Sequence, residues 1–254
     1  SIADYDRDGD LDLYLVNNRV FSIAEENPEL KLRQTPSGSE VHPDFIGEYF
    51  LLDGKICEAG QRDRLLQNDG TGHFVDVTDE AAISGYDMGL SATWWDYDND
   101  GWVDVFFSAV GKNHLFQNSA GRFVEVTAQA GVAGQPSDWS TAVAFVDIDN
   151  DSDLDLFVAN YVEWSRELDF QVDYRLTGIG RAYGPPTNFG GSFSYLYRNN
   201  GDGTFTDIAQ PAGLHVVHAT TGEPIGKALA VAPIDIDQDG WLDLFVANGL
   251  NFLV

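Results

Sequence analysis

Four short segments of the chain carry aspartates at one repeated spacing, and their side chains are the best placed to do chemistry. We name them acidic loops one to four, and they cover residues 4–12, 96–104, 147–155 and 235–243. Each loop has aspartate at its first, third, fifth and ninth positions and glycine or serine at its sixth. So many carboxylates within one short loop repel one another unless a cation lies among them. The pattern therefore predicts a cation site in every loop.

Calcium is the cation that this pattern favours, because it takes about six to eight oxygen ligands in flexible geometry. Aspartate side chains would supply most of these oxygens, and a tryptophan at the seventh position of loops two and four would add a backbone carbonyl. Glycine at the sixth position allows a tight turn, so Ser152 makes loop three the least regular of the four. We therefore expect up to four Ca²⁺ ions. The candidate ligands are Asp4, Asp6, Asp8, Asp10 and Asp12 in loop one; Asp96, Asp98, Asp100, Trp102 and Asp104 in loop two; Asp147, Asp149, Asp151, Asp153 and Asp155 in loop three; and Asp235, Asp237, Asp239, Trp241 and Asp243 in loop four.

Two other structures begin with a similar pattern. An EF-hand loop needs a bidentate glutamate at its twelfth position. The residues at the twelfth position here are all apolar, which excludes an EF-hand, and they are Leu15, Phe107, Val158 and Val246. A metal-free turn rich in aspartate is the other alternative. Four copies that all keep aspartate at the ninth position favour the cation site over such a turn.

A second repeated pattern alternates with the acidic loops. It consists of a short apolar stretch, a turn rich in Asn, Asp and Gly, and a second stretch of alternating polarity, which is typical of a β-hairpin. Its copies cover residues 65–78, 115–127 and 196–208. One further strand precedes each acidic loop and one follows it, so each unit contains four short strands. The first aspartates of loops two and three, Asp96 and Asp147, lie 51 positions apart, which gives the length of the uninterrupted unit.

Four antiparallel strands in a unit of this length are typical of a β-propeller blade. The sequence therefore predicts an all-β fold, with residues 1–254 forming a single partial β-propeller of about three and a half four-stranded blades within a larger ring. Residues 19–64 and 161–194 are expected to be insertions between the second and third strands of blades one and three. Because successive strands reverse direction, the acidic loops should lie on one face, the loop face. The insertions should lie on the opposite face, the insertion face.

The composition limits both the class of protein and its partners. The formal net charge is −27 on 254 residues, so we expect neither nucleic acid nor an anionic membrane as a partner. With 43% hydrophobic and 13% aromatic residues, the chain is expected to fold around a packed core. No apolar run approaches the roughly 18 residues that a membrane span needs. The single cysteine, Cys57, provides neither a disulfide framework nor a CxxC metal site.

The loops and hairpins together resemble the FG-GAP/VCBS repeats, the family that includes the propellers of integrin α-subunits. The residues with the best match are 96–104, 147–160 and 195–208, and their order is most similar to a bacterial branch related to cartilage acidic protein. The resemblance implies a seven-bladed ring, secreted or exposed at the cell surface, with calcium in the four acidic loops. Segment 181–186 resembles a region that often carries a cysteine in such relatives, and that cysteine is missing here.

Outside the acidic loops the sequence offers few candidate functional residues. His215 and His218 have the spacing of a metal-binding pair, but no third ligand is near them in the sequence, so a plain loop is favoured. No motif typical of a nucleophilic, phosphate-binding or dinucleotide-binding site is present. Aromatic residues in or near the insertions and blade connections would either bind a partner or pack in the core, and Trp94 and Trp95 are expected to be core. The aromatic candidates are Trp94, Trp95, Trp139, Tyr161, Trp164, Tyr174, Tyr183 and Phe189.

These observations favour a non-catalytic, calcium-stabilised propeller that binds a protein or glycan partner through the insertion face. Two alternatives stay open at this point, because one fold supports many functions. One is an enzyme on the same scaffold, of the polysaccharide lyase type, and the other is a purely structural repeat of an extracellular assembly. We expect an extracellular, secreted, cell-surface or periplasmic location. No signal peptide is visible, although a leader could precede a sequence that begins inside a repeat.

Overall fold

The computed structural model describes residues 1–17, 32–36, 38–45, 49–52, 55–58, 62–83, 89–178, 180–182 and 184–249. Strands dominate these ranges, which confirms the predicted all-β class. In chain order the strands are β1 (Ile2–Ala3), β2 (Asp12–Leu15), β3 (Leu32–Thr35), β4 (Gly38–Val41), β5 (Tyr49–Leu52), β6 (Lys55–Glu58), β7 (Arg64–Asn68), β8 (Phe74–Asp76), β9 (Gly89–Trp95), β10 (Asp104–Ala109), β11 (His114–Ser119), β12 (Arg122–Glu125), β13 (Ser140–Val146), β14 (Asp155–Asn160), β15 (Arg175–Leu176), β16 (Gly180–Arg181), β17 (Tyr195–Asn199), β18 (Phe205–Asp207), β19 (Ala228–Ile234) and β20 (Asp243–Asn248). The helices are α1 (Thr127–Ala130) and α2 (Arg166–Val172), with 3₁₀ turns at Pro43–Phe45 and Pro186–Asn188.

Three four-stranded antiparallel sheets follow one another along the chain. Their strand orders are β1-β2-β7-β8, β9-β10-β11-β12 and β13-β14-β17-β18, and a fourth sheet pairs β19 with β20. Each acidic loop therefore connects the first and second strands of its sheet, and each hairpin supplies the third and fourth strands. The predicted four-stranded blades are confirmed by this topology. The closed ring of seven blades stays a prediction.

Additional elements lie between the second and third strands of sheets one and three. The hairpins β3–β4 and β5–β6 lie between β2 and β7, while α2 and the β15–β16 hairpin lie between β14 and β17. Helix α2 begins after Ser165, whose hydroxyl accepts a hydrogen bond from the Leu168 amide at 3.2 Å. It ends at Asp173, which has a left-handed backbone with φ of 40°.

The same six residues, Asp-Leu-Phe-Val-Ala-Asn, form β14 and β20, but their burial differs. Every residue of β14 is buried, and Phe157 is 1% exposed. The equivalent residue of β20, Phe245, is 60% exposed, because no sheet among the described residues covers its far side. Burial of this strand is therefore determined by the neighbouring sheet and not by the strand's own sequence.

Apolar side chains from both faces of a sheet pack against the sheets on either side. Leu156 of β14 belongs to a buried cluster with Trp95 and Phe106 of sheet two. Phe157, on the other face of β14, belongs to a cluster with Ala228 of sheet four. The first strands β9, β13 and β19 also contact one another in turn. The core is thus a series of layers between successive sheets, as expected for propeller blades.

Trp95 is buried in this core and Trp94, which is half-buried, packs against it, in agreement with the prediction. The Trp94 ring contacts Tyr14 of sheet one edge-to-face, with 6.1 Å between ring centroids. The Trp95 ring points to the other side of β9 and stacks on Phe145 of sheet three. The two tryptophans therefore pack sheet two against both of its neighbours.

The connections between strands lie at two opposite ends of the sheets, and hydrogen bonds link connections that share an end. On the loop face, the side-chain amide of Gln67 donates to the carboxylate of Asp6 in loop one at 2.5 Å. Gln67 lies just before the hairpin turn. On the insertion face, the Ser192 amide at the end of the third-sheet insertion donates to the carbonyl of Gly226 at 3.2 Å. Gly226 lies in the connection from sheet three to sheet four. This arrangement is the one that the alternation of strand direction predicts.

A buried asparagine joins the second and the third hairpin to the acidic loop of the preceding sheet. The Asn118 side-chain amide donates to the carbonyl of Val103 in its own sheet at 3.0 Å and to the carbonyl of Tyr5 in loop one at 2.8 Å. Asn199 makes the equivalent bond to the carbonyl of Tyr97 in loop two at 3.0 Å. Both asparagines are buried. The repeated Asn of the hairpin sequence therefore connects neighbouring blades.

We predict that Asn118→Ala destabilises the fold, because the buried carbonyl of Tyr5 and the partly buried carbonyl of Val103 would lose their donor. The free energy of unfolding, measured by urea denaturation, should fall by about 1–3 kcal/mol. Asn200→Ala is the matched control, since Asn200 is exposed on the next hairpin, and its effect should stay within about 0.5 kcal/mol. Equal losses for the two variants would contradict the connecting role of Asn118.

Candidate metal sites

In all four acidic loops the structure brings carboxylate oxygens together. In each loop, one oxygen from each of three aspartates lies within 4.8 Å of the other two. The groups are Asp4, Asp6 and Asp8; Asp96, Asp98 and Asp104; Asp147, Asp149 and Asp155; and Asp235, Asp237 and Asp239. Oxygens at such separations can share one cation, so each loop has the donors of a candidate metal site.

The groups do not contain every ligand that the sequence suggested. Loops one and four bring together the first, third and fifth positions, whereas loops two and three bring together the first, third and ninth. The aspartates that lie outside these groups are Asp10, Asp12, Asp100, Asp151, Asp153 and Asp243. The backbone carbonyls of Trp102 and Trp241 stay predicted ligands. The Trp102 ring itself lies under the Arg7 guanidinium of loop one, 5.1 Å from its carbon to the ring centroid.

The backbone of each loop wraps around the carboxylate of its first aspartate. In loop two, Asp96 accepts hydrogen bonds from the Asp100 amide at 3.0 Å and from the Gly101 amide at 2.9 Å. The Asp100 carboxylate in turn accepts the Trp102 amide at 2.8 Å. The amide at the sixth position donates to the first aspartate in the other three loops as well. The loop backbone thus orients these carboxylates through its amide groups.

A left-handed backbone at the sixth position makes this turn possible. The φ angles there are 97° for Gly9, 91° for Gly101, 77° for Ser152 and 91° for Gly240. Glycine adopts this conformation readily, whereas another residue in it costs about 1–2 kcal/mol. Loop three accepts this strain at Ser152 and still keeps the amide hydrogen bond to Asp147, at 3.1 Å.

The ninth aspartate has a second role that its spacing did not reveal. Asp104 is fully buried, and its two oxygens accept hydrogen bonds from the Tyr97 amide at 3.1 Å and the Asn118 amide at 2.7 Å. Asp12 and Asp155 make the same pair of bonds in sheets one and three. This carboxylate therefore joins the acidic loop to the hairpin of its own sheet.

Burial makes the charged form of the ninth aspartate energetically unfavourable in loops one and two. Burial raises the pKa of Asp104 to about 7 and the pKa of Asp12 to about 6, although the amide hydrogen bonds oppose the rise. The neighbouring carboxylates of Asp98 and Asp100 raise the pKa of Asp104 further by repulsion. A divalent cation among these groups would act in the opposite direction, because it favours the charged form of every nearby carboxylate.

Two carboxylate oxygens of loop one lack a partner. Asp4 Oδ1 and Asp10 Oδ1 are buried, and neither has a hydrogen-bond donor among the described residues. A buried carboxylate oxygen without a donor is unfavourable, and coordination of a cation would satisfy it. The donors of loop one therefore fit a calcium ion.

Two glutamines that the sequence analysis did not identify donate hydrogen bonds to loops one and two. The side-chain amides of Gln67 and Gln117 donate to the carboxylates of Asp6 and Asp98, each at 2.5 Å. Each glutamine directly precedes the hairpin asparagine, and this repeated Gln-Asn pair is the signal that would have revealed them. The third hairpin has Arg198 at the same place.

The histidine pair lies in a loop and does not join an acidic group. The His215 ring stacks on Phe193 at 4.0 Å between ring centroids. His218 Nδ1 accepts the amides of Thr220 and Thr221, both at 3.3 Å, and so stabilises a turn. Within the described part of the chain, the groups able to hold a metal ion contain aspartates alone.

Four of the aromatic candidates come together where the third-sheet insertion meets the connection from sheet two to sheet three. Trp139, Tyr161, Trp164 and Phe189 line one small cavity there. Tyr183 lies outside the described residues, and so does the side chain of Cys57, whose backbone forms part of β6. The sequence left open whether these aromatics pack in the core or bind a partner, and in the structure they are half-buried around this cavity.

Known proteins are similar to this chain in sequence. A family model described as FG-GAP-like repeat matches residues 96–158 and 184–246, just under half of the chain. The chain is 29% identical over 191 residues to cartilage acidic protein 1 of Xenopus tropicalis, and 26% and 25% identical to the proteins of that name from Mus musculus and Homo sapiens. The aligned region covers 73% of this chain but only about a quarter of each relative's length. No helix among the described residues is long and apolar enough to cross a membrane.

Proposed function

We propose that this chain, which carries FG-GAP-like repeats, is a calcium-stabilised extracellular module that binds a protein or glycan partner through its insertion face. FG-GAP repeats suggest an adhesion or extracellular repeat module, and the chain is similar to cartilage acidic protein 1. Since the chain spans about a quarter of the length of these relatives, its partner and location are proposals of our own.

The observation that carries the calcium proposal is the convergence of aspartate oxygens in all four loops. In loop two, Asp96, Asp98 and Asp104 would hold the ion. Its chemistry there would be electrostatic, because two positive charges would offset the mutual repulsion of the carboxylates. The unpartnered oxygens of Asp4 and Asp10 support the same role in loop one.

An ion in an acidic loop would stabilise more than the loop. Asp104 bonds to the hairpin of its own sheet, and the carbonyl of Tyr97 accepts a hydrogen bond from Asn199 of the next sheet. A stable loop therefore supports the hairpin behind it and the blade beside it. Calcium would act here as a structural ion, and the insertion face would remain available for a partner.

We predict that calcium raises the melting temperature of the chain. A ligand that binds the native state alone at about 100 times its Kd adds about 2.7 kcal/mol, which is about 5–10 °C for a chain of this size. Scanning calorimetry in calcium and in EGTA measures the shift. Magnesium should give a smaller shift, because it prefers strict octahedral geometry and releases its water ligands reluctantly.

Two variants make this measurement specific to the loops. Asp96→Asn removes one charge from the group in loop two and should reduce the calcium-dependent shift. Glu80→Gln removes one charge from an exposed residue outside the loops and should leave the shift unchanged. The same melting temperature in calcium and in EGTA would contradict the proposal.

A second prediction assigns the partner to the insertion face. Trp164 lies in the third-sheet insertion and Trp241, 51% exposed, lies in loop four on the opposite face. On a printed array of glycans and extracellular matrix proteins, Trp164→Ala should weaken binding about tenfold, the loss expected when an aromatic contact is removed. Trp241→Ala should bind within about twofold of the unmodified chain, since rim or remote contacts contribute little. The reverse ranking would contradict the face assignment, and an array without any bound probe would contradict the binding role.

A further inference from the structure

Successive acidic loops contact one another across the boundary between blades. Between loops one and two, the Arg7 guanidinium lies over the Trp102 ring, 5.1 Å from its centroid. Between loops two and three, the side-chain amide of Asn99 donates to the Asp153 carboxylate at 2.9 Å. At both boundaries the fourth residue of one loop thus reaches the seventh residue of the next loop.

A left-handed backbone carries the fourth residue of these loops. The φ angle is 61° for Arg7 and 58° for Asn99. Both residues are exposed, and neither belongs to the carboxylate group of its own loop. Each of them nevertheless lies directly between two aspartates that are candidate ligands, so its position depends on how those aspartates are held.

The seventh residue, which receives the contact, is a candidate ligand in every loop. In loop three it is Asp153, whose carboxylate can accept more bonds than the one from Asn99. In loop two it is Trp102, whose backbone carbonyl is the predicted ligand. A neighbour that restrains such a residue reduces the conformational freedom that it loses when an ion binds.

A second and buried connection joins the same pairs of loops. The backbone amide of Asn199 donates to Asp155 of loop three at 2.8 Å, and its side-chain amide donates to the carbonyl of Tyr97 in loop two at 3.0 Å. Asp155 belongs to the carboxylate group of loop three. Asn118 joins loops one and two in the same way. Two separate contacts therefore connect each of these neighbouring candidate sites.

The charge of the loops allows neighbouring ions. Loop two has four aspartates and loop three has five, so with one Ca²⁺ each they would keep formal charges of −2 and −3. A loop that holds an ion thus remains acidic and still attracts a cation to its neighbour. Repulsion between the ions therefore does not oppose the effect of the contacts.

We propose that acidic loops one, two and three bind calcium cooperatively. An ion in one loop fixes the residues that contact the next loop, and the next ion then finds its ligands with less freedom to lose. The effect is reciprocal, because a coupling free energy belongs to the pair of sites. The inference rests on the proposed function, since it requires that the loops bind calcium, and it adds how the sites depend on one another.

Loop four provides a comparison within the same chain. Among the described residues, no hydrogen bond joins it to loop three, and sheet four has no hairpin that could supply a bridging asparagine. The contacts of Ile148 in loop three with sheet four are apolar. We therefore expect loop four to bind calcium independently of the other three loops.

Amide NMR spectra of the full chain, recorded during a titration with calcium, measure each site separately. The reporters are the sixth-position amides, each of which donates to the first aspartate of its own loop. They belong to Gly9, Gly101, Ser152 and Gly240. The quantity compared is the calcium concentration at which each reporter is half-saturated.

Removal of the site in loop two tests the coupling. Asp96→Asn combined with Asp98→Asn removes two charges of its group and keeps an oxygen at each position for the loop amides. The half-saturation concentration of Ser152 should then rise by about fivefold or more, the lower end of usual coupling strengths. That of Gly9 should rise likewise, while that of Gly240 should stay within twofold.

The possible outcomes separate this proposal from the calcium proposal. If Gly101 loses its response while Gly9 and Ser152 keep their half-saturation concentrations, cooperativity is overturned and calcium binding stands. An equal rise at Gly240 would show a general charge effect and also overturn cooperativity. No response of any reporter in the unmodified chain overturns both proposals.

Two uncharged variants then test the contact between loops two and three. Asn99→Gly removes the donor to Asp153, and glycine keeps the left-handed backbone. Asn150→Gly is the matched control, because Asn150 is the exposed fourth residue of loop three, with φ of 57°. The half-saturation concentration of Ser152 should rise about threefold in Asn99→Gly, as expected for one lost hydrogen bond, and less than about 1.5-fold in the control. Equal effects would overturn the role of this contact.

Discussion

The buried carboxylate at the ninth position of acidic loops one to three is the constraint on which the rest of the structure depends. In loop two it is Asp104, which accepts one amide from the loop and one from the hairpin, Tyr97 and Asn118. The side chain of Asn118 then reaches the loop of the preceding sheet through Tyr5. A repulsive cluster of carboxylates thus lies at the junction of loop, hairpin and neighbouring blade. Whatever neutralises the cluster also stabilises that junction.

Each blade depends on its neighbours for the burial of its strands, as two copies of one hexapeptide demonstrate. Phe157 in β14 is buried between sheets, whereas Phe245 in the identical sequence of β20 is mostly exposed. The sequence of a blade therefore encodes strands and loops, but the hydrophobic stabilisation of these strands comes from contacts between blades. This dependence explains why the same apolar pattern repeats in every unit and why the loops that connect blades matter for stability.

Repetition made much of the fold predictable. The four-stranded antiparallel sheets, the place of the acidic loops and the core role of Trp94 and Trp95 all follow from patterns that recur along the chain. Features without a repeated pattern were not predictable, because they depend on contacts between distant residues. The second role of Asp104 needs a hairpin 14 positions away, and the meeting of Trp139 with Phe189 needs the fold of a whole insertion. In loops one and four the fifth aspartate joins the first and the third, whereas in loops two and three the ninth aspartate does so. This difference likewise depends on the three-dimensional course of each loop.

Amide hydrogen exchange with and without calcium tests most directly whether an ion in the acidic loop stabilises the junction of the blades. The amides of Tyr97 and Asn118 both donate to Asp104, one from the loop and one from the hairpin. Our account predicts that calcium slows exchange at both amides together with that of Gly101, since the ion would stabilise the carboxylate that joins them. Slower exchange at Gly101 with no change at Asn118, or no change at any of the three, would contradict it.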